Sequence, residues 1–448
     1  MKHKVIITIA NWAGVNTGDN VMFEALVNLI QRIAKRLQLE VELFVLADND
    51  LSIMKKYRDK YNIIDTIRIF EFYRLGNIFK TINFLTKSDL LIYGGGDLVN
   101  GNIPSTTLLI LAKIFGLPVI LIGVGVVFPT SSIGRLITKL ALNLVDEISV
   151  RDEKSRQYLE RLGITKPKIY NTSDLVFTLN PMFSLKESRA NDLINQLNRL
   201  KDKKLLVGVN VRPYDQMYSE YCTWNTEKII RIFANVCDAL IETYDAEIVF
   251  IPMVTKDKTY PYHMNLLSDD EVGKKIVEIM KHKNKAHIIA DYQTLEDLLT
   301  LLSTVDILIS MRLHPILLAS LVNTPSIAIA YAPKVEVFMK ELGMSYYTIP
   351  INELESKKVL SLVNSLLNEK FNNKIELSIE FLKTKAKLNE KIILKFLNVL
   401  KNNKKPHLTT RLFRLFMGVI VALLLMCFNY IMLFIPKVMN ILSTKGRK

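Results

Sequence analysis

The chain has 448 residues, of which 49% are hydrophobic and 23% are charged. This length is too great for one compact core and suits two domains, and the composition excludes an intrinsically disordered protein. Its three cysteines and six histidines show no metal-ligand spacing, so we expect no disulfide framework, no metal site and no cofactor.

The net charge of +15 is concentrated towards the end of the chain. Eleven lysine and arginine residues lie beyond Glu390, where there is no acidic residue. The first 390 residues therefore carry a net charge of only about +4. A nucleic-acid-binding protein would carry its basic residues as a stripe on a folded domain. A basic run beside an apolar segment favours anionic lipid headgroups instead. We therefore expect membrane lipids as partners and no nucleic acid.

The first apolar run covers residues 5–10 and has six residues. A signal-peptide core has roughly 7–15 residues, so this run is predicted to be a buried first strand. With no export signal, the globular part is expected to stay in the cytoplasm.

Short apolar runs then alternate with amphipathic stretches. Several runs, such as 118–124, are almost continuously apolar, which is typical of strands buried on both faces. The predicted strands cover residues 4–10, 41–47, 66–72, 90–94, 118–124, 147–151, 204–211, 246–253, 286–290, 306–310 and 325–331. Helical patterns lie between them, for example at 20–37, 133–145, 225–243 and 294–303. This alternation predicts parallel sheets with helices on both faces.

The alternation is interrupted by a polar, charge-rich stretch near residues 178–203. We predict a boundary there between two doubly wound, Rossmann-like α/β domains, at 1–180 and 200–350. Ligands of such sheets bind beyond the carboxyl ends of the strands. Residues 351–407 have Leu and Ile at helical spacing, which predicts helices that pack over the domains.

A long apolar segment follows. Residues 415–435 contain one strongly polar residue, Asn429. A helix of this length spans roughly 30 Å, about one hydrocarbon core. With basic residues on both sides, it predicts a transmembrane or monotopic helix over 411–436 and a basic tail over 437–448. A buried helix is the alternative.

Glycine-rich segments follow two of the predicted strands. Glycines allow a ligand to approach the backbone closely, and the N-terminus of a helix attracts anions. A plain turn with an Asn or Asp cap fits the same spacing. The candidate binding residues in these two segments are Asn16, Gly18, Asp19, Gly94, Gly95 and Gly96.

Cationic side chains follow other strands. Arg151 ends the strand at 147–151, and Asp152 is expected to cap the helix that follows. A local Arg151–Asp152 ion pair is the alternative role for the arginine. Arg212 follows Asn210 at the first strand of the second domain, and Lys334 follows the strand at 325–331. Because the carboxyl ends of parallel strands face the ligand cleft, these cations are candidate anion-binding residues.

The sharpest feature is Arg312-Leu313-His314, which directly follows the buried strand at 306–310. The planar guanidinium suits a carboxylate or phosphate, and histidine exchanges a proton near neutral pH. A structural role is the alternative for a lone histidine. An Arg and a His two residues apart at a strand end favour a functional role.

In this order, the motifs resemble those of the polysaccharide pyruvyltransferase family over roughly residues 4–340. The matching segments are NxGD, GGG, SVRD with Ser155, Ser173-Asp174-Leu, Asn-Val-Arg, RLH and P-x-I-x-I-x-Y-x-x-K. The resemblance implies a GT-B-like fold. It also implies transfer of a pyruvyl group from phosphoenolpyruvate to a sugar diol of a cell-surface polysaccharide or its lipid-linked precursor, forming a pyruvate ketal. The hydrophobic C-terminal segment departs from the family pattern and suggests a membrane-linked acceptor.

By this match, His314 and Arg312 are expected to be catalytic, and Arg151, Arg212 and Lys334 to bind phosphoenolpyruvate. The first domain is the expected acceptor side, where NxGD and GGG hold the sugar or glycolipid. The second is the donor side, with Asn210 as a further substrate ligand. The expected location is the cytoplasmic face of the cell membrane. Two alternatives remain, a GT-B glycosyltransferase using a nucleotide sugar and a non-catalytic membrane-bound scaffold of polysaccharide assembly.

Overall fold

Two compact units make up the chain in the computed structural model. Unit 1 comprises residues 1–14, 27–170 and 390–448, and unit 2 comprises residues 15–26 and 171–389. The structure describes residues 3–11, 13–14, 16–47, 57–58, 60–68, 75–101, 103–180, 199, 204–213, 221–255, 267–289, 294–368, 372–402, 413–414, 416–417 and 420.

Unit 1 is built on a seven-stranded sheet in the order β3-β2-β1-β4-β5-β6-β7. Its strands are β1 (His3–Ala10), β2 (Leu39–Ala47), β3 (Ile63–Arg68), β4 (Leu90–Gly94), β5 (Val119–Val124), β6 (Glu147–Val150) and β7 (Lys168–Asn171). The pairs from β3 through to β6 are parallel. The helices along this part of the chain are α1 (Thr17–Leu37), α2 (Leu75–Lys87), α3 (Ile103–Ile114), α4 (Ser132–Leu142) and α5 (Glu153–Leu162).

Unit 2 is built on a six-stranded parallel sheet in the order β10-β9-β8-β11-β12-β13. Its strands are β8 (Leu206–Asn210), β9 (Glu247–Phe250), β10 (Ala286–Ile288), β11 (Ile307–Ser310), β12 (Ser326–Ala330) and β13 (Thr348–Pro350). The helices are α6 (Thr226–Tyr244), α7 (Asp269–Ile279), α8 (Leu295–Thr304), α9 (Leu313–Leu321), α10 (Pro333–Glu341), α11 (Ser356–Asn368) and α12 (Asn372–Asn402).

Each sheet reverses its strand order once. The reversal lies between β1 and β4 in unit 1 and between β8 and β11 in unit 2. At such a point the crossover connections leave in opposite directions, and the carboxyl ends of the two strands border a crevice. The prediction of two doubly wound α/β domains is therefore confirmed at the level of two parallel-sheet domains.

The predicted elements match the observed ones with small shifts in their ends. α1 begins at Thr17 and not at residue 20, because Asn16 caps it by accepting the Gly18 amide at 3.1 Å. α9 begins at Leu313, so His314 lies in the first turn of a helix. Asp152 caps α5 as predicted, by accepting the Ser155 amide. The edge strands β7 and β13 were not predicted.

Two sequence predictions fall largely outside the described residues. One is the linker near 178–203, so the domain limits 1–180, 200–350 and 351–407 stay predictions. The other is the helix at 411–436 with its basic tail at 437–448, of which the structure describes only Phe413, Arg414, Phe416, Met417 and Ile420. Within the described parts of the chain, no helix combines the length and hydrophobicity needed to cross a membrane.

Candidate functional site

Asn210 joins the strands at the reversal point of unit 2. It ends β8, is almost fully buried, and donates from Nδ2 to the Ile251 carbonyl at 2.8 Å. Its Oδ1 accepts the Arg312 amide at 3.2 Å. The side chain, predicted to be a substrate ligand, thus fixes the turn from β11 into α9, which carries the Arg-Leu-His segment.

The guanidinium of Arg312 forms a bidentate ion pair with Asp269. Nε lies 2.6 Å from Oδ2 and Nη2 lies 2.7 Å from Oδ1. The carboxylate is 1% exposed and also accepts the backbone amides of Met253 and Val254. Asp269 is the first residue of α7, so the N-terminus of this helix orients Arg312. This pair uses two of the five guanidinium N–H donors.

His314 lies beside a second buried carboxylate. Its Nε2 is 3.9 Å from Oδ2 of Asp174, whose side chain is fully buried. Oδ1 of Asp174 accepts the Val176 amide at 3.1 Å and so caps the short 3₁₀ helix Leu175–Thr178. A nearby anion favours the protonated imidazolium over neutral imidazole. This arrangement suits a histidine that donates a proton.

The opposite side of the imidazole contacts the N-terminus of α1. A β-carbon built on Gly18 would lie 2.2 Å from Nδ1 of His314, so only glycine fits at position 18. Asn16 donates to the Asp19 carboxylate at 2.9 Å, and the Thr17 amide donates to the Met253 carbonyl at 2.9 Å. The structure therefore brings the predicted acceptor motif against the predicted catalytic histidine within unit 2.

Tyr331 follows β12, is 5% exposed and lies close to two of the predicted anion-binding cations, Arg212 and Lys334. The Cζ atom of Arg212 lies 4.5 Å from the ring centroid, and Nζ of Lys334 lies 6.0 Å from it.

The pKa of the Tyr331 phenol lies below its ordinary value. Burial raises this pKa, but the charges of Lys334, Arg212 and Arg312, with a hydrogen bond from Arg212, lower it by more. A site that stabilises a buried phenolate in this way also attracts other anions.

In unit 1, Arg151 is engaged by Asp97, the residue that follows the three glycines. The guanidinium is 2% exposed and contacts the Asp97 carboxylate closely. Nε also lies 3.8 Å from Oδ2 of Asp152, so the local ion pair considered from the sequence is the longer contact. A β-carbon on Gly125 would collide with both Asp97 and Arg151, so Gly125 leaves room for the pair.

The three glycines form the turn that follows β4. Gly94 ends the strand, and its carbonyl accepts from the Asn11 side chain. Gly95 and Gly96 have φ angles of 77° and 75°, which residues with a β-carbon rarely adopt. The turn places backbone groups at the reversal point of the unit 1 sheet.

The twelve predicted site residues thus divide between the units. Unit 2 holds eight, namely Asn16, Gly18, Asp19, Asn210, Arg212, Arg312, His314 and Lys334, and unit 1 holds Arg151 with Gly94, Gly95 and Gly96. The prediction did not include the partners Asp97, Asp174, Asp269 and Tyr331. Asp174 and Tyr331 lie inside motifs that carried the family resemblance, which is a usable signal. Asp269 belongs to a sequence pattern that also fits the capping box of α7.

Comparison with known proteins identifies one matching family. The family model described as "Polysaccharide pyruvyl transferase" matches residues 16–333. The amylovoran biosynthesis protein AmsJ of Erwinia amylovora is 23% identical over 235 residues, which cover 52% of this chain and 54% of AmsJ. The chain therefore matches about half the length of this curated relative.

Solved structures show a similar fold. The UDP-GlcNAc 2-epimerase of Neisseria meningitidis, bound to UDP-GlcNAc, has a TM-score of 0.57 at 15% identity, covering 88% of this chain and all of that one. The UDP-GlcNAc 2-epimerase of Methanocaldococcus jannaschii has a TM-score of 0.56 at 15% identity, covering 82% and 94% of the two chains. At these identities, the similarity concerns the fold, which resembles the GT-B type with two parallel-sheet α/β domains.

Proposed function

The chain belongs to the polysaccharide pyruvyl transferase family, and from this premise we propose that it forms a pyruvate ketal on a sugar, with phosphoenolpyruvate as the donor. The acceptor is two hydroxyl groups of one sugar in a cell-surface polysaccharide or its lipid-linked precursor. The relative named for amylovoran biosynthesis supports a polysaccharide as the destination.

The observation that carries this proposal is the cationic cluster around Tyr331 in unit 2. Phosphoenolpyruvate has a phosphate and a carboxylate, so its binding site requires several positive charges. Arg212, Arg312 and Lys334 all act on the same buried hydroxyl, although they come from three separate strand ends. We assign the donor to this cluster, where Tyr331 adds a hydroxyl to the set of hydrogen-bonding groups.

Arg312 holds the donor in this scheme. Asp269 fixes one side of its guanidinium with two hydrogen bonds, so little side-chain entropy is lost when a ligand binds. The ion pair also lowers the net charge that Arg312 contributes. Arg212 and Lys334 therefore supply much of the positive charge that the donor requires.

His314 is the proposed general acid. Ketal formation begins when an imidazolium proton is added to C3 of phosphoenolpyruvate, which makes C2 electrophilic. One sugar hydroxyl adds to C2 and releases its proton, phosphate leaves, and a second hydroxyl adds to C2 and releases its own. Of the two protons released, one restores the imidazolium and the other leaves with phosphate or solvent. Asp174 stabilises the imidazolium form that starts the cycle.

The acceptor sugar is proposed to bind at the N-terminus of α1. Gly18 lies directly against His314, so a sugar held by Asn16, Asp19 and the backbone there has its hydroxyls near the proton carrier. The roles expected for the unit 1 residues, sugar binding by Gly94, Gly95 and Gly96 and donor binding by Arg151, stay proposals.

We further propose that residues 411–436 anchor the protein to the cytoplasmic face of the membrane. The motivation is the apolar run at 415–435 between basic flanks. Deleting residues from about 408 onward is expected to release the protein into the soluble fraction. If the truncated protein still sedimented with membranes after a high-salt wash, this segment would not be the anchor.

The donor is tested by calorimetric titration with phosphoenolpyruvate and, separately, with UDP-GlcNAc, the ligand in the Neisseria epimerase structure. Binding of phosphoenolpyruvate with release of phosphate in the presence of glycan is expected. Binding of only the nucleotide sugar would favour a GT-B glycosyltransferase. Binding of neither, with no turnover in a broad donor and acceptor screen, would favour a non-catalytic scaffold. Mass spectrometry of the host glycan, with and without the protein, detects the ketal directly.

A further inference from the structure

Helix α4 in unit 1 exposes several large aliphatic side chains. Its buried positions are Gly134, Thr138, Ala141 and Leu142. Other large aliphatic residues face solvent: Ile133 is 66% exposed, Leu136 59%, Leu140 56%, and Leu144, just beyond the helix, 45%. Single exposed leucines are ordinary, but these four recur at helical spacing and form one continuous stripe.

The charged side chains of α4 itself are basic. α4 carries Arg135 and Lys139 and no acidic residue. The neighbouring helix α3, which packs against α4, carries Lys113, whose partner is Asp146 beyond α4. An apolar helix face bordered by basic side chains is typical of a helix that lies in a membrane interface, where anionic headgroups attract the cations.

The end of the described chain lies next to the same helix pair. Lys113, in the last turn of α3, bonds to Asp146 beyond α4 at 2.9 Å, which links the ends of the two helices. Arg414 donates to the carbonyl of Gly116, just after α3, at 3.3 Å, and Met417 packs against the core of unit 1. Arg414 and Met417, at the start of the apolar run in the sequence, therefore lie beside α3 and the unit 1 core, and the neighbouring side chains of Phe413 and Phe416 are exposed.

We propose that the face formed by Ile133, Leu136, Leu140 and Leu144 docks in the plane of an anionic lipid bilayer, beside the point where the C-terminal apolar segment begins. The occupant is lipid because the border is basic and the adjoining segment has the composition of a membrane helix. A second contact of this kind would restrict how unit 1 can rotate on a single anchor, and so would hold it in one orientation to the membrane. The proposal is independent of the chemistry of transfer, and its test does not use activity.

The test uses the full-length chain with Leu136→Cys carrying an environment-sensitive fluorophore. Cys427 is replaced by Ser, and the native Cys222 and Cys237 are buried. The protein is reconstituted on phosphatidylcholine vesicles with and without phosphatidylglycerol. We expect the emission to shift to shorter wavelength, and to be quenched by brominated lipid, on the vesicles that contain phosphatidylglycerol. A label at Glu160→Cys, on the exposed surface of α5, is expected to show neither change.

A second pair of variants separates docking from the anchor. Leu140→Glu with Leu144→Glu is expected to abolish the shift at position 136 while the protein stays bound to the vesicles. The matched control is Leu377→Glu, an exposed leucine on α12 in unit 2, which is expected to preserve the shift. Circular dichroism checks the fold of each variant. A label that stays water-exposed on bound protein would overturn the proposal. A label that is already shielded without vesicles would also overturn it, because protein would then cover this face. Shielding at every protein concentration would mean that the C-terminal segment covers it. Shielding that increases with protein concentration would mean that a second copy does.

Discussion

Gly18 and His314 are in direct contact: a β-carbon at position 18 would lie 2.2 Å from the imidazole Nδ1. The glycine of the NxGD motif therefore sets the position of the histidine, in addition to shaping a turn. Gly18→Ala is expected to displace the imidazole and lower kcat by roughly 100-fold, because misplacing a catalytic group by about 1 Å has an effect of that order. Donor affinity is expected to change little.

The matched control for this substitution is Gly273→Ala in α7. A β-carbon there would meet the Phe250 ring at 3.5 Å, an ordinary van der Waals contact. Steady-state kinetics of the two variants make the comparison. A Gly18→Ala enzyme with the wild-type kcat would show that the position of His314 does not limit turnover.

The general-acid role of His314 is tested by His314→Gln, which keeps most of the bulk and hydrogen-bonding capacity but cannot carry the proton. We expect kcat to fall roughly 10²–10⁴-fold, the usual contribution of a positioned acid. The dissociation constant for phosphoenolpyruvate, measured by calorimetry, is expected to stay near the wild-type value, and His314→Ala to behave in the same way. Retention of more than about a tenth of the rate would contradict the assignment.

Asp174→Asn tests whether the buried carboxylate acts on the charge of His314. Asparagine keeps an oxygen for the Val176 amide but removes the negative charge 3.9 Å from Nε2. The imidazolium then loses its proton at lower pH, so the alkaline limb of the kcat profile is expected to move to lower pH. The substitution leaves Arg312, two residues before the histidine, and Asp19, next to Gly18, unaltered. A profile that only decreased in height would indicate a structural role.

Much of the fold is predictable from local sequence because the central strands are buried on both faces. A strand such as β5 (Val119–Val124) is wholly apolar and fully buried, so it stands out against any amphipathic neighbour. Two of the four edge strands lack this signal. β7 (Lys168–Asn171) is only partly buried, and β13 (Thr348–Pro350) has three residues, so these short runs at a sheet edge resemble loops.

The candidate site shows the same difference between local and tertiary information. Arg212, Arg312 and Lys334 could be grouped from the sequence because parallel strands bring their carboxyl ends to one edge, a rule that needs only the order of strands. The partner of Arg312 is 43 residues away, and no local pattern marks Asp269 as more than part of a helix cap. The pairing depends on where the N-terminus of α7 lies relative to Arg312, which is tertiary information.

The Arg312–Asp269 pair gives a prediction about stability. Asp269→Asn leaves a guanidinium without its countercharge in a site where the carboxylate is 1% exposed. Breaking a buried pair from one side lowers the free energy of unfolding by roughly 3–5 kcal/mol, and urea denaturation measures it. The control is Lys358→Ala, which removes an exposed pair with Glu353 and is expected to cost less than about 1 kcal/mol.

The same pair bears on donor binding. Arg312→Ala is expected to raise the dissociation constant for phosphoenolpyruvate and also to destabilise unit 2, since the buried Asp269 loses its partner. Affinity is therefore measured by calorimetry on protein whose folded fraction is known from the denaturation curve. Arg312→Lys keeps a charge but loses the bidentate geometry, so an intermediate affinity is expected. Wild-type affinity in both variants would remove Arg312 from the donor site.

Tyr331 predicts a pH dependence of donor binding. Burial raises the pKa of its phenol, but Lys334, Arg212 and Arg312 together hold that pKa below its ordinary value. As pH rises through this lowered pKa, a phenolate forms among the cations and competes with the donor anion, so phosphoenolpyruvate affinity is expected to fall. The fold gains stability over the same interval, because the folded state gives up the proton before the unfolded state does. Below both pKa values, this contribution to stability is absent.

Tyr331→Phe is expected to remove the loss of affinity and the gain in stability together, whereas Tyr346→Phe, at a site 64% exposed, is expected to preserve both. Calorimetric titrations and urea denaturation over a wide pH range measure the two effects, and tyrosinate absorbance reports the ionisation itself. If Tyr331→Phe kept the wild-type dependence of affinity on pH, the phenol would not share its cations with the donor.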